Sequence, residues 1–169
     1  RMADRPVNRS AHRTGIRSRW QRCLIMMVLG GVAALGQAPF SLTLLVFAGF
    51  AGAFALFPAF TSRRRAFAGG LSFGTGYFLV ALHWIVEPFL IDIARHGWMA
   101  PFALMFLAAG LALFWGFAFW LARKLHPSGV LPLVLTWTAV ELLRAYIFTG
   151  FPWAIPAQAT VNTFLGQML

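Results

Sequence analysis

The chain has 169 residues, of which 60% are hydrophobic, 16% aromatic and only 11% charged. A soluble domain carries about 25% charged residues, so this composition excludes an ordinary soluble protein and indicates a membrane protein. The formal net charge of +10 would also suit a protein that binds nucleic acid. However, the basic residues are concentrated in short segments beside apolar stretches, which is the pattern that sets membrane topology.

Residues 1–21 form a basic arm, which we expect to be solvated, disordered, cytoplasmic and in contact with anionic lipid headgroups rather than nucleic acid. Half of the fourteen basic residues lie in this arm or directly after it: Arg1, Arg5, Arg9, Arg13, Arg17, Arg19 and Arg22. The single cysteine, Cys23, can make no internal disulfide. It opens an uncharged stretch, residues 23–62, that is far longer than the apolar region of a cleaved signal peptide.

This uncharged stretch predicts two membrane spans, because one transmembrane helix needs about 20 apolar residues. Pro39 cannot continue a helix, and Gln37 beside it favours a polar edge. The two spans are therefore predicted at about 22–36 and 41–60, and the bundle that they begin is predicted to extend over residues 22–169.

A third span is predicted at about 66–86, after the cluster Arg63, Arg64 and Arg65. Its first half carries small residues four positions apart, Gly70 with Gly74 and Ser72 with Gly76. Small residues at this spacing let helix backbones approach closely in lipid. Ordinary helix packing and a lipid or substrate groove are both compatible with the pattern.

The third span ends in His83, Trp84 and Glu87. A histidine one turn before a carboxylate could act as an acid and base pair, while the same residues could also anchor the helix at the membrane surface. The connection that follows, residues 87–96, is the one loop between predicted spans in which acidic residues match or outnumber basic ones. A fourth span is predicted at about 97–122, with Pro101 in its first turn, where a missing N–H costs least.

The fifth span, at about 128–148, carries Glu141 and Arg144 three residues apart on one helix face. Each charge alone would be costly inside a membrane, so the two are expected to neutralise each other and point into the bundle. The pair could be a structural ion pair that fixes helix packing. It could also be a polar patch beneath an outward-facing pocket that binds a lipid headgroup.

The chain leaves the fifth span through a turn made of Thr149, Gly150, Phe151, Pro152 and Trp153. Glycine and proline end the helix, and aromatic residues settle at membrane surfaces. A sixth helix is predicted to start at about 157. The residues from there to 169 are too few to cross a membrane, so the chain is expected to be a piece of a longer protein.

Arginine placement predicts the orientation of the five crossings. With residues 1–21 in the cytoplasm, the clusters at 63–65 and 123–124 also lie in the cytoplasm. The loop 87–96 and the turn 149–156 then share the outer face. The fold class is therefore predicted to be an all-α, polytopic bundle of transmembrane helices with five spans and the start of a sixth.

The residues by themselves predict no catalytic site. The four histidines lack metal-ligand spacing, and no glycine-rich phosphate loop follows a strand. Cys23 is predicted at the cytoplasmic end of the first span. On that side of the membrane the only histidines or carboxylates are His12, His126 and Asp4, all in flexible flanks, so a nucleophilic role for Cys23 is not expected. We therefore expect no metal, no cofactor and no catalytic residue within this chain.

Three ordered motifs resemble the bacterial apolipoprotein N-acyltransferases. They are the turn Ala38-Pro39-Phe40, the glycine- and phenylalanine-rich third helix with His83-Trp84-Ile85, and Glu141-Leu142-Leu143-Arg144 followed by Phe148-Thr149-Gly150-Phe151-Pro152-Trp153. The last motif is the specific one, and together they cover roughly residues 24–156.

The resemblance implies a multi-pass enzyme of the inner membrane. It would move an acyl chain from a phospholipid donor to the N-terminal amine of a diacylglyceryl lipoprotein, through a thioester. The family's catalytic residues lie in a periplasmic nitrilase-like domain after the sixth helix, so this region would act as a bilayer anchor and lipid-facing scaffold. The alternative is a small non-enzymatic membrane protein, such as a transporter subunit or an assembly factor.

Overall fold

The computed structural model of the chain describes residues 9–126, 129–147 and 154–161. Within these ranges the protein is helical and has no strand. Short 3₁₀ helices occur at Phe57–Ala59, His83–Val86, Gly97–Met99 and Pro156–Thr160. The α-helices are α1 (Arg9–Ala34), α2 (Thr43–Leu56), α3 (Arg63–Ala81), α4 (Glu87–Leu90), α5 (Ile93–His96), α6 (Ala100–Leu125) and α7 (Val130–Ile147).

Local sequence signals account for several helix ends. The connection between α1 and α2 contains the cis peptide bond Ala38-Pro39, at the break predicted from Pro39. Helix α3 is capped by Ser62, whose hydroxyl accepts a hydrogen bond from the backbone N–H of Arg65 at 3.3 Å. Helix α6 has Pro101 in its first turn, as predicted, where proline costs no intrahelical hydrogen bond.

The five long helices, α1, α2, α3, α6 and α7, run alternately between two ends of a bundle. At one end Arg22 Nη1 donates to the carbonyl oxygen of Ala59 at 2.8 Å, and the Arg123 guanidinium carbon lies 5.8 Å from the centre of the Phe57 ring. This end, here called the arginine end, collects the start of α3 and the end of α6. Arg22, Arg65 and Arg123, one from each basic segment, therefore lie at the same end of the bundle.

Glycine residues let α3 approach two neighbouring helices. A Cβ on Gly76 would overlap the backbone carbonyl of Met27 in α1. On the α6 side, a Cβ on Gly70 would lie 2.6 Å from the carbonyl oxygen of Trp115, and one on Gly74 would lie 2.9 Å from the Cα of Ala112. The small residues of α3 therefore pack helices, and they do so on both sides of α3.

Two helical stretches in the described residues are long and apolar enough to cross a membrane, Ile93–Leu125 and Val130–Ile147. A third candidate exists if Arg63–Ala81 and His83–Leu90, which are bent by 59° relative to each other, count as one span. Thr43–Ala59 is apolar but shorter. Two or three candidate spans thus stand where the sequence predicted five.

Two further boundaries differ from the predictions. Helix α1 begins at Arg9, well before the predicted first span at 22, so much of the expected arm continues the helix. The predicted third span to residue 86 ends as a regular α-helix at Ala81 and turns through a 3₁₀ segment into α4. The connection 87–96 contains two short helices, and its Asp92 and Arg95 side chains lie 3.9 Å apart at the surface.

Candidate lipid-facing site

The predicted pairing of Glu141 with Arg144 is confirmed. Arg144 Nε donates to Glu141 Oε1 at 2.9 Å, and Arg144 Nη2 donates to Glu141 Oε2 at 2.8 Å. The two residues are 8% and 2% exposed, so this two-pronged ion pair is buried. The i to i+3 spacing on α7 places both groups on one helix face, and each guanidinium N–H meets its own carboxylate oxygen.

Trp115 of α6 completes the polar cluster from across the bundle. Its indole Nε1 donates to Glu141 Oε1 at 2.7 Å, and the residue is fully buried. A buried indole N–H usually pairs with a hydrogen-bond acceptor, and here the carboxylate provides one. The Arg144 guanidinium carbon also lies 5.3 Å from the centre of the Phe78 ring, within the range of a cation–π contact.

Aromatic rings from four helices surround this polar cluster. The Trp115 ring stacks on Phe73 at 5.1 Å between centroids and lies 4.9 Å from Tyr77. Phe50 of α2 and Trp137 of α7 also contact it, at 5.5 and 5.6 Å. The ion pair is therefore shielded on this side by a rigid apolar cluster that binds α2, α3, α6 and α7 together.

A second hydrogen-bonded group lies at the end of the bundle opposite the arginine end. Gln37 Nε2 donates to the hydroxyl of Tyr77 at 2.7 Å and to the carbonyl oxygen of Ile155 at 3.1 Å. The Tyr77 hydroxyl in turn donates to the carbonyl oxygen of Ala154 at 3.1 Å. We call this group the Gln37–Tyr77 tether, because it fastens residues 154–155 to α3 and to the end of α1.

The prediction that Gln37 sits at a polar edge is wrong. The residue is only 8% exposed, and its amide N–H groups are satisfied by the tether instead of water. Thr43 reinforces the same connection, since its Oγ1 donates to the carbonyl oxygen of Ala159 at 2.9 Å. The segment 154–160 is thus held against the start of α2 as well.

An apolar groove of about 400 Å³ opens beside these two polar groups. Helix α2 forms one wall, helix α7 the second, and the segment 155–160 closes one end. Glu141 is the one ionisable side chain among the described residues that line it. The lining residues are Val46, Phe47, Phe50, Phe54, Val134, Trp137, Thr138, Glu141, Leu142, Ala145, Ile155, Pro156, Ala157 and Thr160.

His83, Trp84 and Glu87 lie away from this groove, at the bend after α3. His83 Nδ1 is 2.8 Å from the carbonyl oxygen of Val80, on the preceding turn. All three side chains are exposed, with Trp84 at 45%. Their positions suit the surface-anchor reading better than an acid and base pair, because His83 already has a local backbone partner.

The other predicted site residues, Thr149, Gly150, Phe151, Pro152 and Trp153, lie outside the residues that the structure describes. Their flanks are Ile147, where α7 ends, and Ala154, which the tether holds. In the described part of the chain, no three His, Cys, Asp or Glu side chains are grouped so that they could hold a metal ion.

The sequence did not single out Trp115 or Tyr77, although each carried a signal. Tryptophan prefers the membrane surface. The indole N–H of a tryptophan in the middle of a long apolar run is therefore expected to pair with a buried hydrogen-bond acceptor. Tyr77 is one of only two tyrosines in the chain, and it too lies inside a predicted span. In both cases the signal was a polar side-chain atom, the indole nitrogen or the hydroxyl, inside a predicted membrane span.

Comparisons with known proteins agree with the motifs. Residues 29–169 match the family described as the apolipoprotein N-acyltransferase N-terminal domain. The apolipoprotein N-acyltransferase of Caulobacter vibrioides is 41% identical over 145 residues, covering 82% of this chain and 27% of the relative. That of Brucella suis is 36% identical over 167 residues, covering 92% and 31%. This chain therefore spans less than a third of the length of these relatives.

Proposed function

The chain belongs to the apolipoprotein N-acyltransferase family through its N-terminal domain, and we propose that it is the membrane part of such an enzyme. The whole enzyme transfers an acyl chain from a phospholipid to the N-terminal amine of a diacylglyceryl-cysteine lipoprotein. This part supplies the bilayer anchor and a lipid-facing scaffold. The residues that carry out the acyl transfer lie elsewhere in the enzyme.

We further propose a five-span topology in the bacterial inner membrane. Residues 1–21 are cytoplasmic, residues 22–169 belong to the bundle, and the turn 149–156 faces the periplasm. The proposal is supported by the alternating direction of the five long helices and by the collection of arginines at one end. Helix α2 is short for a span, and local thinning of the bilayer accommodates such a mismatch.

The apolar groove between α2 and α7 is proposed to hold part of an acyl chain of a lipid substrate. Its walls are apolar, and the one carboxylate among its described lining residues, Glu141, is already neutralised by Arg144 and hydrogen-bonded to Trp115. A hydrocarbon chain can therefore lie in the groove without burying an unpaired charge.

The observation that best supports acyl-chain binding is that one segment both lines the groove and takes part in the tether. Ile155 lines the groove and also accepts the hydrogen bond from Gln37. A lipid in the groove therefore touches the segment that enters from the turn 149–153. On the proposed topology that turn faces the periplasm, where the family's acyl transfer would take place.

The proposal is tested with a chimera in which this chain replaces the matching N-terminal segment of the Caulobacter vibrioides relative. The chimera is expressed in cells depleted of their own N-acyltransferase, and the mass of a lipoprotein N-terminus reports acyl transfer. We expect the chimera to restore N-acylation and this chain alone to leave the lipoprotein unacylated. A chimera that inserts at normal levels and transfers no acyl chain contradicts the proposal.

Two matched tyrosine variants of the chimera test the role of the tether. Tyr77→Phe removes the hydroxyl that links Gln37 to Ala154 through two hydrogen bonds. We expect about a tenfold to thirtyfold loss of N-acylation, since each hydrogen bond contributes about 1 kcal/mol. Tyr146→Phe removes a hydroxyl from a side chain that is 89% exposed and should leave activity unchanged. Equal activity of the two variants would show that the tether does not contribute to N-acylation.

A further inference from the structure

A second cleft, of about 230 Å³, lies at the arginine end between the start of α3 and the N-terminal half of α1. Its lining is strongly basic and includes Arg19, Arg22, Arg64 and Arg65, with Cys23 and Phe60. No acidic side chain is among the described residues that line it. The cleft shares no lining residue with the groove beside Glu141.

Part of this cleft is held in a fixed shape. Arg22 donates from Nη1 to the carbonyl oxygen of Ala59 at 2.8 Å, and Arg65 donates from Nη1 to Thr61 Oγ1 at 2.9 Å. These contacts tie α1 and α3 to the connection after α2. Each uses one N–H of a guanidinium that carries five, so both arginines keep further donor capacity on a fixed base.

The charges in the cleft are not balanced from within the described chain. Arg64 and Arg65 lie in the first turn of α3, where no acidic residue accompanies them. The helix dipole is positive at this terminus, so cations there are disfavoured and an anion is favoured. Mutual repulsion among the arginines adds to the same preference.

The depth of the cleft points to the kind of anion. Arg19 and Arg22 directly precede the uncharged stretch that begins at Cys23, and Phe60, also in the lining, is 3% exposed. One side of the cleft therefore lies at the boundary between the apolar helices and the charged segments that flank them. In a bilayer this is the level of the phosphate groups.

We propose that this cleft binds the phosphodiester headgroup of an anionic phospholipid in the cytoplasmic leaflet. The arginines would hold the phosphate oxygens by charge-assisted hydrogen bonds, while the acyl chains remain in the bilayer beside α1 and α3. The site does not depend on the acyltransferase assignment, because it lies at the other end of the bundle and involves no acyl transfer.

Cys23 is the single cysteine of the chain and lines the cleft, so its rate of modification reports occupancy. The intact chain is placed in nanodiscs of phosphatidylcholine, either alone or with phosphatidylglycerol as about one lipid in five. It is then labelled with a maleimide reagent. We expect phosphatidylglycerol to slow the labelling of Cys23 about fivefold or more. An unchanged rate overturns the proposal.

Two double variants separate a built site from general surface charge. Arg19→Gln with Arg64→Gln removes two exposed arginines of the cleft, while Arg63→Gln with Lys124→Gln removes two exposed charges of the same end that do not line it. We expect the first pair to raise the amount of phosphatidylglycerol needed for protection about tenfold or more, and the second less than threefold.

Equal losses in the two double variants would mean that the lipid senses only the overall charge, and this would overturn the proposal. Soluble glycerol 3-phosphate, added to phosphatidylcholine nanodiscs, provides the remaining comparison. It should protect Cys23 far less than phosphatidylglycerol does, because it lacks the chains that hold the lipid at this depth. Equal protection would assign the cleft to a free phosphate compound and contradict the lipid assignment.

Discussion

At the scale of single residues, the bundle contains a few buried polar atoms that hydrogen-bond to one another. Glu141 accepts hydrogen bonds from Arg144 and from Trp115, and these donors come from two helices. In the membrane interior, no water is available to hydrogen-bond an unpaired charge or donor. Each group of the cluster therefore needs the others as hydrogen-bond partners. The cluster is therefore expected to respond to substitution as one unit.

The first prediction concerns this cooperation. Glu141→Gln leaves Arg144 buried without its anion, and Arg144→Met leaves Glu141 buried without its cation, so each change should cost about 3 kcal/mol of unfolding free energy. The double variant should recover about 1 kcal/mol or more relative to the sum of the two losses. Unfolding of the four proteins in one detergent, followed by tryptophan fluorescence, provides the measurement. Strictly additive losses would rule out the coupling.

The sequence could predict the pair but not its surroundings. Glu141 and Arg144 are three residues apart, so helix geometry alone brings them together. Trp115 is 26 positions from Glu141, and Gln37 is 118 positions from Ile155. Such contacts depend on how whole helices pack against one another, and the spacing of residues within one helix does not predict that packing.

At the scale of helices, α3 is the element against which α1 and α6 pack. It contacts α1 through Gly76 and α6 through Gly70 and Gly74, and it supplies Phe73, Tyr77 and Phe78 to the aromatic cluster. Lipid is as apolar as the side chains, so close backbone approach replaces the hydrophobic effect as a source of helix association.

The second prediction compares two glycines inside helices. Gly76→Ala places a Cβ against the backbone of Met27, which cannot move without displacing α1, so we expect a net loss of about 1 to 3 kcal/mol in stability. Gly110→Ala in α6 meets nothing within 4 Å and should be neutral or gain up to about 1 kcal/mol from higher helix propensity. Thermal unfolding in the same detergent tests both variants. A loss at Gly110 equal to that at Gly76 would indicate a general effect of glycine replacement.

Apolar runs and prolines predicted where the long helices lie, and the uncharged stretch 23–62 was correctly divided near Pro39 into α1 and α2. The end of the third helix was not predictable in the same way. Ala81 and Leu82 are apolar and buried, so the apolar pattern continues through the point where the helix bends. The bend occurs between α3 and the short helices that lead to α6, and it has no proline at its start.

At the scale of the whole molecule, the bundle has two chemically different ends. One end gathers arginines from α1, α3 and α6, and the other carries the Gln37–Tyr77 tether, which holds Ala154 and Ile155. The arginine distribution along the chain predicts such a division, because consecutive helices that reverse direction return the basic segments to one end. The orientation of the two ends in a membrane is the proposal on which the periplasmic role of the groove depends.

Site-directed labelling tests this orientation most directly. In a Cys23→Ser background, Asp92→Cys reports the tether end and Thr61→Cys the arginine end; both replaced side chains are exposed. We expect a membrane-impermeant maleimide to label Cys at position 92 in intact spheroplasts, and to label Cys at position 61 only after the membrane is disrupted. The reverse pattern, with position 61 labelled first, would contradict the account.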